Sequence, residues 1–363
     1  MRLRVVMISA LLIGVVALIY IAGRRSRVSS GGGDSTNANA AVRAGRSFKR
    51  TARAFAPAVV DAADATAPGT ASNLMQRIEN NEFQLTDDQL AAYLRQFGTN
   101  VETLLATQKA EYLKLAAELF PNDPRVQYAV VSRDLFPEAR REWIDRLKQS
   151  APDNALASYL SARDYFKAGD RDAALKDLSD AMRKTRFNDY SLEQVLNMED
   201  AQLSAGRTVA EAKVAAGTLL LLPQLAQFKE LSQNMQAMEK EYLAAGDIAS
   251  AQALAQMGHS LAQQLTTGEG SRCLINQLVG ISIDRIVLGP MPPDAQLDFL
   301  GGTVQQRIDE LTTFRQGVRS LTGGFNEWMT RASEAELISY FDRMKLQGEY
   351  KAMQWLRNRE SLR

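Results

Sequence analysis

The expected fold is decided by Tyr165-Phe166-Lys167-Ala168-Gly169-Asp170-Arg171-Asp172-Ala173-Ala174-Leu175, which aligns with Tyr242-Leu243-Ala244-Ala245-Gly246-Asp247-Ile248-Ala249-Ser250-Ala251-Gln252. Between them lies Leu203-Ser204-Ala205-Gly206-Arg207, so three Ala-Gly turns follow one another at intervals of 37 and 40 residues. A weaker copy is Gln347-Gly348-Glu349-Tyr350-Lys351-Ala352. Self-similarity at such intervals is typical of a chain built from repeated units.

Each copy has the pattern of a helix hairpin. A glycine ends the first helix because it adopts the left-handed conformation at little cost, and the chain then reverses. An aromatic residue on the first helix fills the hairpin core, and small residues on the second helix allow close approach. A single hairpin leaves an apolar face uncovered, so the hairpins are expected to stack on one another.

Helix start and stop signals recur between these copies. Thr86-Asp87-Asp88 precedes an apolar periodic stretch that ends at Gly98, which predicts a capped helix. Pro121-Asn122-Asp123-Pro124 and Pro152-Asp153-Asn154 each end one helix and begin the next. From Leu74 onward, alternating β-branched runs bounded by hairpin turns are lacking, so the predicted fold class is all-α.

The unit from Asn154 to about Phe187 resembles a tetratricopeptide repeat. The residues that carry the resemblance are Ala162, Tyr165, Gly169 with Asp170, Ala174, Leu178 and Ala181, and again Tyr242, Gly246 with Asp247, Ala251 and Ala255. The middle unit keeps Gly206 but has Glu211 where the family has a small residue, and Ser158 stands where the family has tryptophan. The resemblance implies stacked hairpins with a concave groove for peptides. By their place on a first helix, the candidate groove residues are Asn154, Ser158, Ser161 and Arg163.

An apolar, uncharged stretch stands near the N-terminus, at residues 5–22, after a short basic head at 1–4. Its 18 residues are near the lower limit for a transmembrane helix, which predicts a signal-anchor. A cleaved signal peptide would need small residues at −1 and −3. Cleavage after Ala22 puts Tyr20 at −3, which disfavours this alternative. A buried helix of a soluble protein is the third interpretation.

The orientation of the anchor is nearly balanced by charge. Arg2 and Arg4 precede the span, and Arg24, Arg25 and Arg27 follow it, so the positive-inside rule hardly discriminates. A short basic head, an apolar run and a large domain resemble an export precursor, which favours an exported body. A cytoplasmic body stays open.

The stretch 23–72 has the composition of a disordered linker, rich in Gly, Ser, Ala, Asn and Thr. Between Gly23 and Thr70 it carries eight basic and three acidic residues, a net charge of +5, which predicts contact with anionic lipid head groups. Arg43–Phe55 is interpreted either as a basic amphipathic helix on lipid or as a solvated linker.

The body is divided into helical repeats at 73–267 and a C-terminal helical region at 268–363 that caps the solenoid, with a separate helical domain as the alternative. Within the latter, Arg272–Leu288 is apolar enough to suggest a second membrane span. Asn276, Asp284 and Arg285 interrupt it, so a buried helix is predicted.

Motifs that carry chemistry are sparse. The sequence lacks a phosphate-binding loop, a dinucleotide fingerprint and a zinc-protease motif. One histidine and one cysteine exclude a Cys/His zinc site within one chain, and a net charge of +1 does not indicate nucleic-acid binding. No catalysis, cofactor or metal is therefore expected. His259 is predicted to be a partly exposed helix residue, and Cys273 a buried small hydrophobe.

Two further groups receive structural interpretations. Glu138, Glu142 and Asp145 alternate with arginines, which predicts a solvated, salt-bridged face. The three tryptophans, Trp143, Trp328 and Trp355, are assigned to packing rather than to a binding groove.

The functional prediction is a membrane-tethered interaction scaffold with an unidentified protein or peptide partner, in contact with the bilayer through residues 5–22. One alternative is an enzyme with an unrecognised active site in the C-terminal helical region. The other is a structural subunit whose groove is filled by its own helices. In that last case the helix from Glu334 to Arg359 should lie within the superhelix rather than on its end.

Overall fold

A computed structural model describes residues 70–360, which form a mostly helical, compact unit. The basic head, the anchor at 5–22 and nearly all of the linker lie outside the described residues, as do residues 361–363. The all-α prediction is confirmed, with one short two-stranded β-hairpin added. Within residues 70–360, no helix combines the length and apolar character that crossing a bilayer requires.

The helices of the first half are short. They are α1 Thr70–Glu79, α2 Asp87–Phe97, α3 Val101–Ala106, α4 Ala110–Leu119, α5 Pro124–Arg133, α6 Arg140–Ser150, α7 Leu156–Ala168 and α8 Arg171–Arg183. A 3₁₀ turn at Pro137–Ala139 precedes α6.

The second half contains the longest helices. They are α9 Ser191–Ser204, α10 Val209–Thr218, α11 Gln224–Ala244, α12 Ile248–Thr266, α13 Leu274–Leu288, α14 Val304–Thr322, α15 Phe325–Arg331, α16 Glu334–Gln347 and α17 Glu349–Glu360. Strands β1 Gln296–Leu297 and β2 Gly302–Thr303 pair antiparallel, with Gln296 opposite Thr303. Short 3₁₀ turns lie at Gly268–Ser271 and Asp298–Leu300.

Helix ends follow the sequence signals closely. Thr86 caps α2 in a capping box with Gln89, and the helix stops at Gly98 as predicted. Pro124 occupies the first turn of α5, whose N-cap is Asp123. These local devices satisfy backbone groups that a helix end leaves without partners.

The three predicted hairpin turns form. Each turn contains a glycine with positive φ between the two helices of its hairpin. These are Gly169 at 80° between α7 and α8, Gly206 at 82° between α9 and α10, and Gly246 at 77° between α11 and α12. Asp170 and Asp247 then cap the second helix of their hairpins by accepting from backbone N–H groups. The sequence copies therefore correspond to real hairpins.

Their order in space differs from their order in the chain. Helix α7 packs on α11, and α8 on α12, so the first and third hairpins are direct neighbours. The middle hairpin, α9–α10, packs instead against α1, α2, α3 and α16. The expectation that consecutive hairpins stack is therefore wrong for α7–α8 and α9–α10.

The C-terminal helices return to earlier parts of the body. Helix α13 packs on α11 and α12 and is largely buried, which confirms the buried-helix prediction for Arg272–Leu288. Helix α15 packs on α1, and α16 packs on α10. Phe341 of α16 lies so close to Gly217 that a Cβ there would be 2.7 Å from the ring. The region therefore joins the start, middle and end of the body.

Candidate functional site

A narrow cleft opens where α5 faces the displaced α9–α10 hairpin. The space inside it that water can reach is only about 30 Å³, and the figure becomes about 470 Å³ when the adjoining open solvent is counted. We call it the Arg133 cleft. Its lining comes from five segments of the chain: Leu105, Gln108, Leu113, Arg125, Tyr128, Ala129, Ser132, Arg133, Tyr190, Glu193, Gln194, Asn197, Leu221 and Pro223. Helix α9 supplies Glu193, Gln194 and Asn197 to this lining, so the position of the displaced α9–α10 hairpin contributes to the cleft.

Unusual backbone conformations concentrate at this cleft. Gln108 and Tyr190, both in its lining, have φ values of 59° and 56°, and Asp134, which follows Arg133, has a φ of 54°. Among the described residues, Asn81 is the one other non-glycine with positive φ. Such conformations cost on the order of 1 kcal/mol each and persist where the surroundings enforce them. Strain of this kind is enriched at binding sites.

Arg133 is the notable charge of the cleft. Its guanidinium donates to the backbone carbonyl of Gln108 at 3.3 Å and to the Oε1 atom of the same residue. Within residues 70–360 it forms no ion pair with a carboxylate within 4.0 Å. Burial lowers the pKa of Arg133, and the neighbouring Tyr128 opposes that change. The cleft thus holds a half-buried cation whose hydrogen-bond acceptors are neutral.

The other charged groups of the cleft already have partners within the chain. Arg125 pairs with Glu102 at 2.8 Å and with Asp123 at 2.6 Å, so its charge is compensated. Glu193 accepts from the Asn188 amide at 3.5 Å. Arg133 is therefore the cation of this cleft that remains available to an anion from outside.

Two tyrosines, the buried Tyr128 and the half-buried Tyr190, form part of the cleft wall. The ring centroids of Tyr128 and Tyr190 lie 5.6 Å apart. Burial raises the pKa of Tyr128 well above its usual value, with a further contribution from Asp189. Both phenols therefore stay neutral and do not supply a phenolate that would pair with Arg133.

The position of Tyr190 is fixed by buried amides behind the cleft. Asn154 donates to the carbonyl of Asn188 at 2.8 Å and accepts from the Asn188 backbone N–H at 3.0 Å. Asn188 in turn accepts from the Tyr190 N–H at 2.7 Å. Next to it, Asp189 accepts from Gln224 at 3.0 Å and Asn276 at 3.1 Å, and burial raises its pKa. These buried hydrogen bonds therefore hold the backbone of Tyr190 in its positive-φ conformation.

The candidate groove residues occupy other positions. Asn154, Ser158 and Ser161 are buried, with exposed fractions of 2%, 1% and 0%, so the expectation that they line an open groove is wrong. Ser161 accepts from Arg141 at 2.7 Å and hydrogen-bonds to Asp177. Arg163 is half-buried and donates to Glu230 at 2.9 Å, which joins α7 to α11. Ser161 is therefore covered by α6 and α8, whereas Arg163 is covered by α11 of the third hairpin.

The repeat-defining residues mostly serve packing. Ala162, Ala174, Leu178, Ala181 and Ala251 are fully buried. The two aromatics do not fill a hairpin core as expected, because Tyr165 and Tyr242 are only half-buried. The Arg141 guanidinium lies over the Tyr165 ring at 4.7 Å. These residues position the hairpins and do not reach the Arg133 cleft.

His259 is buried, not partly exposed as predicted. Its Nδ1 lies 2.7 Å from Asp284 Oδ1, and Asp284 also pairs with Arg307 at 2.9 Å. Helices α12 and α13 pack closely at Gly258, and Asp284 of α13 contacts the imidazole from that side. This arrangement joins α12, α13 and α14, and the recorded partner of the imidazole is a carboxylate rather than a nucleophile.

The remaining predictions for single residues fare better. Arg141 pairs with Asp145 and Arg146 with Glu142, both at 2.5 Å and partly exposed, which confirms the salt-bridged face for Glu142 and Asp145. Trp143 and Trp328 are buried, and Trp355 packs beneath Arg343. Cys273 is half-buried, and burial raises the pKa of its thiol.

Among residues 70–360, no three His, Cys, Asp or Glu side chains are grouped so that they could hold a metal ion. We take the Arg133 cleft as the candidate site in the described part of the chain, because a cation with neutral acceptors and positive-φ residues meet there. No family model, curated protein or solved structure gives a significant match to this chain.

Proposed function

We propose that this chain is a membrane-tethered scaffold for protein–protein interaction, with a tetratricopeptide-like helical body that binds its partner at the Arg133 cleft. The tether is the apolar stretch at 5–22, and this part of the proposal rests on sequence. A short tether raises the concentration of a binding surface near the bilayer. We propose no catalytic role and no cofactor.

The observation that carries the proposal is the cleft itself. It combines an available cation, an exposed apolar side chain and strained backbone in one concavity. Leu221 in its lining is 54% exposed, although it is apolar. Exposed apolar residues beside placed polar groups are typical of binding sites.

A structural subunit with a self-filled groove is the second candidate. Helix α16 lies against α10 in the middle of the body, and α15 lies against α1. This arrangement favours the interpretation in which the C-terminal helices occupy internal surface. It would leave the Arg133 cleft without a role in binding, so the two candidates predict different effects of changes in the cleft.

The test is proximity labelling with the full-length protein in its native membrane. Leu221→Asp places a charge in the cleft. The matched control is Leu346→Asp, because Leu346 is a leucine of α16 that is 79% exposed and lies outside the cleft lining. The scaffold proposal expects a reproducible set of partners that Leu221→Asp removes and Leu346→Asp retains. A set unchanged by Leu221→Asp, or no reproducible set, would contradict it.

A further inference from the structure

We propose that the Arg133 cleft recognises the side-chain carboxylate of an acidic residue in the partner protein, with an apolar neighbour of that residue seated against Leu221. This inference rests on the proposed scaffold function and specifies the chemistry of its ligand. It is carried by the guanidinium geometry, by the other charges of the cleft and by the apolar lining.

The guanidinium is ready to exchange partners. Arg133 donates to Oε1 of Gln108, and that same oxygen also accepts from Gln194 Nε2 at 2.7 Å. If Arg133 turns to an incoming carboxylate, Gln108 Oε1 keeps the Gln194 donor and is not left without a partner. The exchange therefore replaces a neutral acceptor by a charged one, and charge-assisted hydrogen bonds are about twice as strong.

The other charges favour a single negative charge over a phosphate. The neighbouring Arg125 is already neutralised by two carboxylates. Glu193 lies in the same lining and would repel a dianion more than a monoanion. With Arg133 as the available cation and Glu193 as a nearby acid, the cleft is suited to a ligand with a single negative charge. A carboxylate fits because its two coplanar oxygens match the two N–H donors of the guanidinium.

The rest of the lining suits an internal chain segment. Gln194 on α9 is half-buried, and the second N–H and the carbonyl of its amide can hydrogen-bond to a main chain that passes along the helix. Leu221 and Pro223 supply an apolar surface beside them. A segment that passes along α9 presents a side-chain carboxylate to Arg133, so we assign the acid to Asp or Glu rather than to a chain end.

The experiment is peptide selection on the full-length protein in detergent. A random library is displayed with its C-termini fused, so that every carboxylate comes from a side chain. We expect the selected peptides to share an acidic residue next to an apolar one. For an amidated synthetic copy, Arg133→Gln, or the peptide's own acid-to-amide change, should each weaken binding by at least about tenfold. Combining the two changes should add little.

Three controls distinguish a specific loss of peptide binding at Arg133 from a loss of the folded structure. Arg183→Gln removes an exposed arginine of α8 and should leave peptide affinity unchanged. Arg133→Lys keeps the charge without the fork and should bind with intermediate affinity. Thermal unfolding checks that each variant is folded.

Three results would overturn the carboxylate inference. Selected peptides that bind wild type and Arg133→Gln equally would refute it and leave the scaffold proposal standing. Displacement of the peptide by inorganic phosphate, and not by equal acetate, would assign the cleft to phosphate. If neither the library nor proximity labelling yields a binder, the scaffold proposal fails, and the inference fails with it.

Discussion

Replacing Gly258 with alanine tests whether α12 and α13 pack as closely as their contacts indicate. A Cβ at this position would lie 2.5 Å from Cγ1 of Val287 and 2.9 Å from its Cβ. Carbon atoms pack best at about 3.5–4.0 Å. Val287 is fully buried and branched at Cβ, so it has no open space to move into. The two helices must therefore separate to accept the methyl group.

Two opposing effects determine the magnitude. Alanine is a better helix former than glycine by about 1 kcal/mol. Overpacking a dense core by a methyl group costs about 1–3 kcal/mol. An overlap of about 1 Å against a rigid neighbour puts this cost near the upper end, so Gly258→Ala should lower the free energy of unfolding by about 1–2 kcal/mol.

Gly317 offers a matched control. It lies within α14, and a Cβ there would have no neighbour within 4 Å. The same substitution should stabilise the protein at this site by about 0.5–1 kcal/mol, through helix propensity alone. One chemical change is thus expected to have opposite signs at two helical positions.

The assay is denaturant unfolding of the full-length variants. Val287→Ala alone should destabilise by leaving a cavity, whereas the Gly258→Ala/Val287→Ala double variant should be more stable than the sum of the single effects by about 1 kcal/mol. If Gly258→Ala stabilises as Gly317→Ala does, or if the double variant is additive, the close packing of α12 on α13 is refuted.

Three further predictions concern buried polar groups. Both carboxylate oxygens of Glu239 are buried without a hydrogen-bond partner in the described chain, and burial raises its pKa from 4.5 to about 8. The folded chain then holds a proton that the unfolded chain releases, so the wild-type protein loses stability as pH rises. In denaturant unfolding, the free energy of unfolding of Glu239→Gln should therefore increase relative to that of wild type by about 3 kcal/mol between about pH 5 and 7.5. Glu199 lies 2.8 Å from Lys213 and 2.6 Å from Lys345, so Glu199→Gln should destabilise by about 3 kcal/mol in the same assay. Asn154→Ala should cost about 2–3 kcal/mol through lost hydrogen bonds and, by loosening the cleft wall, weaken peptide binding in a titration.

Controls for these three changes lie nearby. Glu241 is exposed and pairs with Arg171 at 2.5 Å, so Glu241→Gln should change stability little and should not give an advantage that grows with pH. Asn154→Asp keeps the acceptor for Asn188 N–H but sets a buried carboxylate oxygen against the Asn188 carbonyl, so it should weaken peptide binding at least as much as Asn154→Ala. A flat pH response of Glu239→Gln would show that this carboxyl is ionised in the folded protein.

The helix hairpins could be predicted from sequence because their signals are local. A glycine after an apolar periodic stretch, followed by an aspartate cap, determines the turn at Gly169 and again at Gly246. Burial of α13 was also predictable, since its apolar residues surround the whole helix. Each of these features depends on residues a few positions apart.

The spatial order of the hairpins could not be predicted in this way. It depends on contacts between distant residues, such as the Gln202 amide with the carbonyl of Phe83, and Lys213 with Asp342. The cleft was missed for the same reason, because Arg133 resembles any arginine in the last turn of a helix.

The displaced α9–α10 hairpin connects the two candidate functions. On α9, Glu193, Gln194 and Asn197 line the Arg133 cleft, whereas Glu199 pairs with Lys345 of α16. At 100° per residue, Glu199 lies on the opposite side of the helix from those three residues. Helix α16 therefore supports α9 from behind and leaves the cleft face open. The C-terminal helices then act as the support that holds a strained binding face, so filling of internal surface and binding of a partner are compatible in one body.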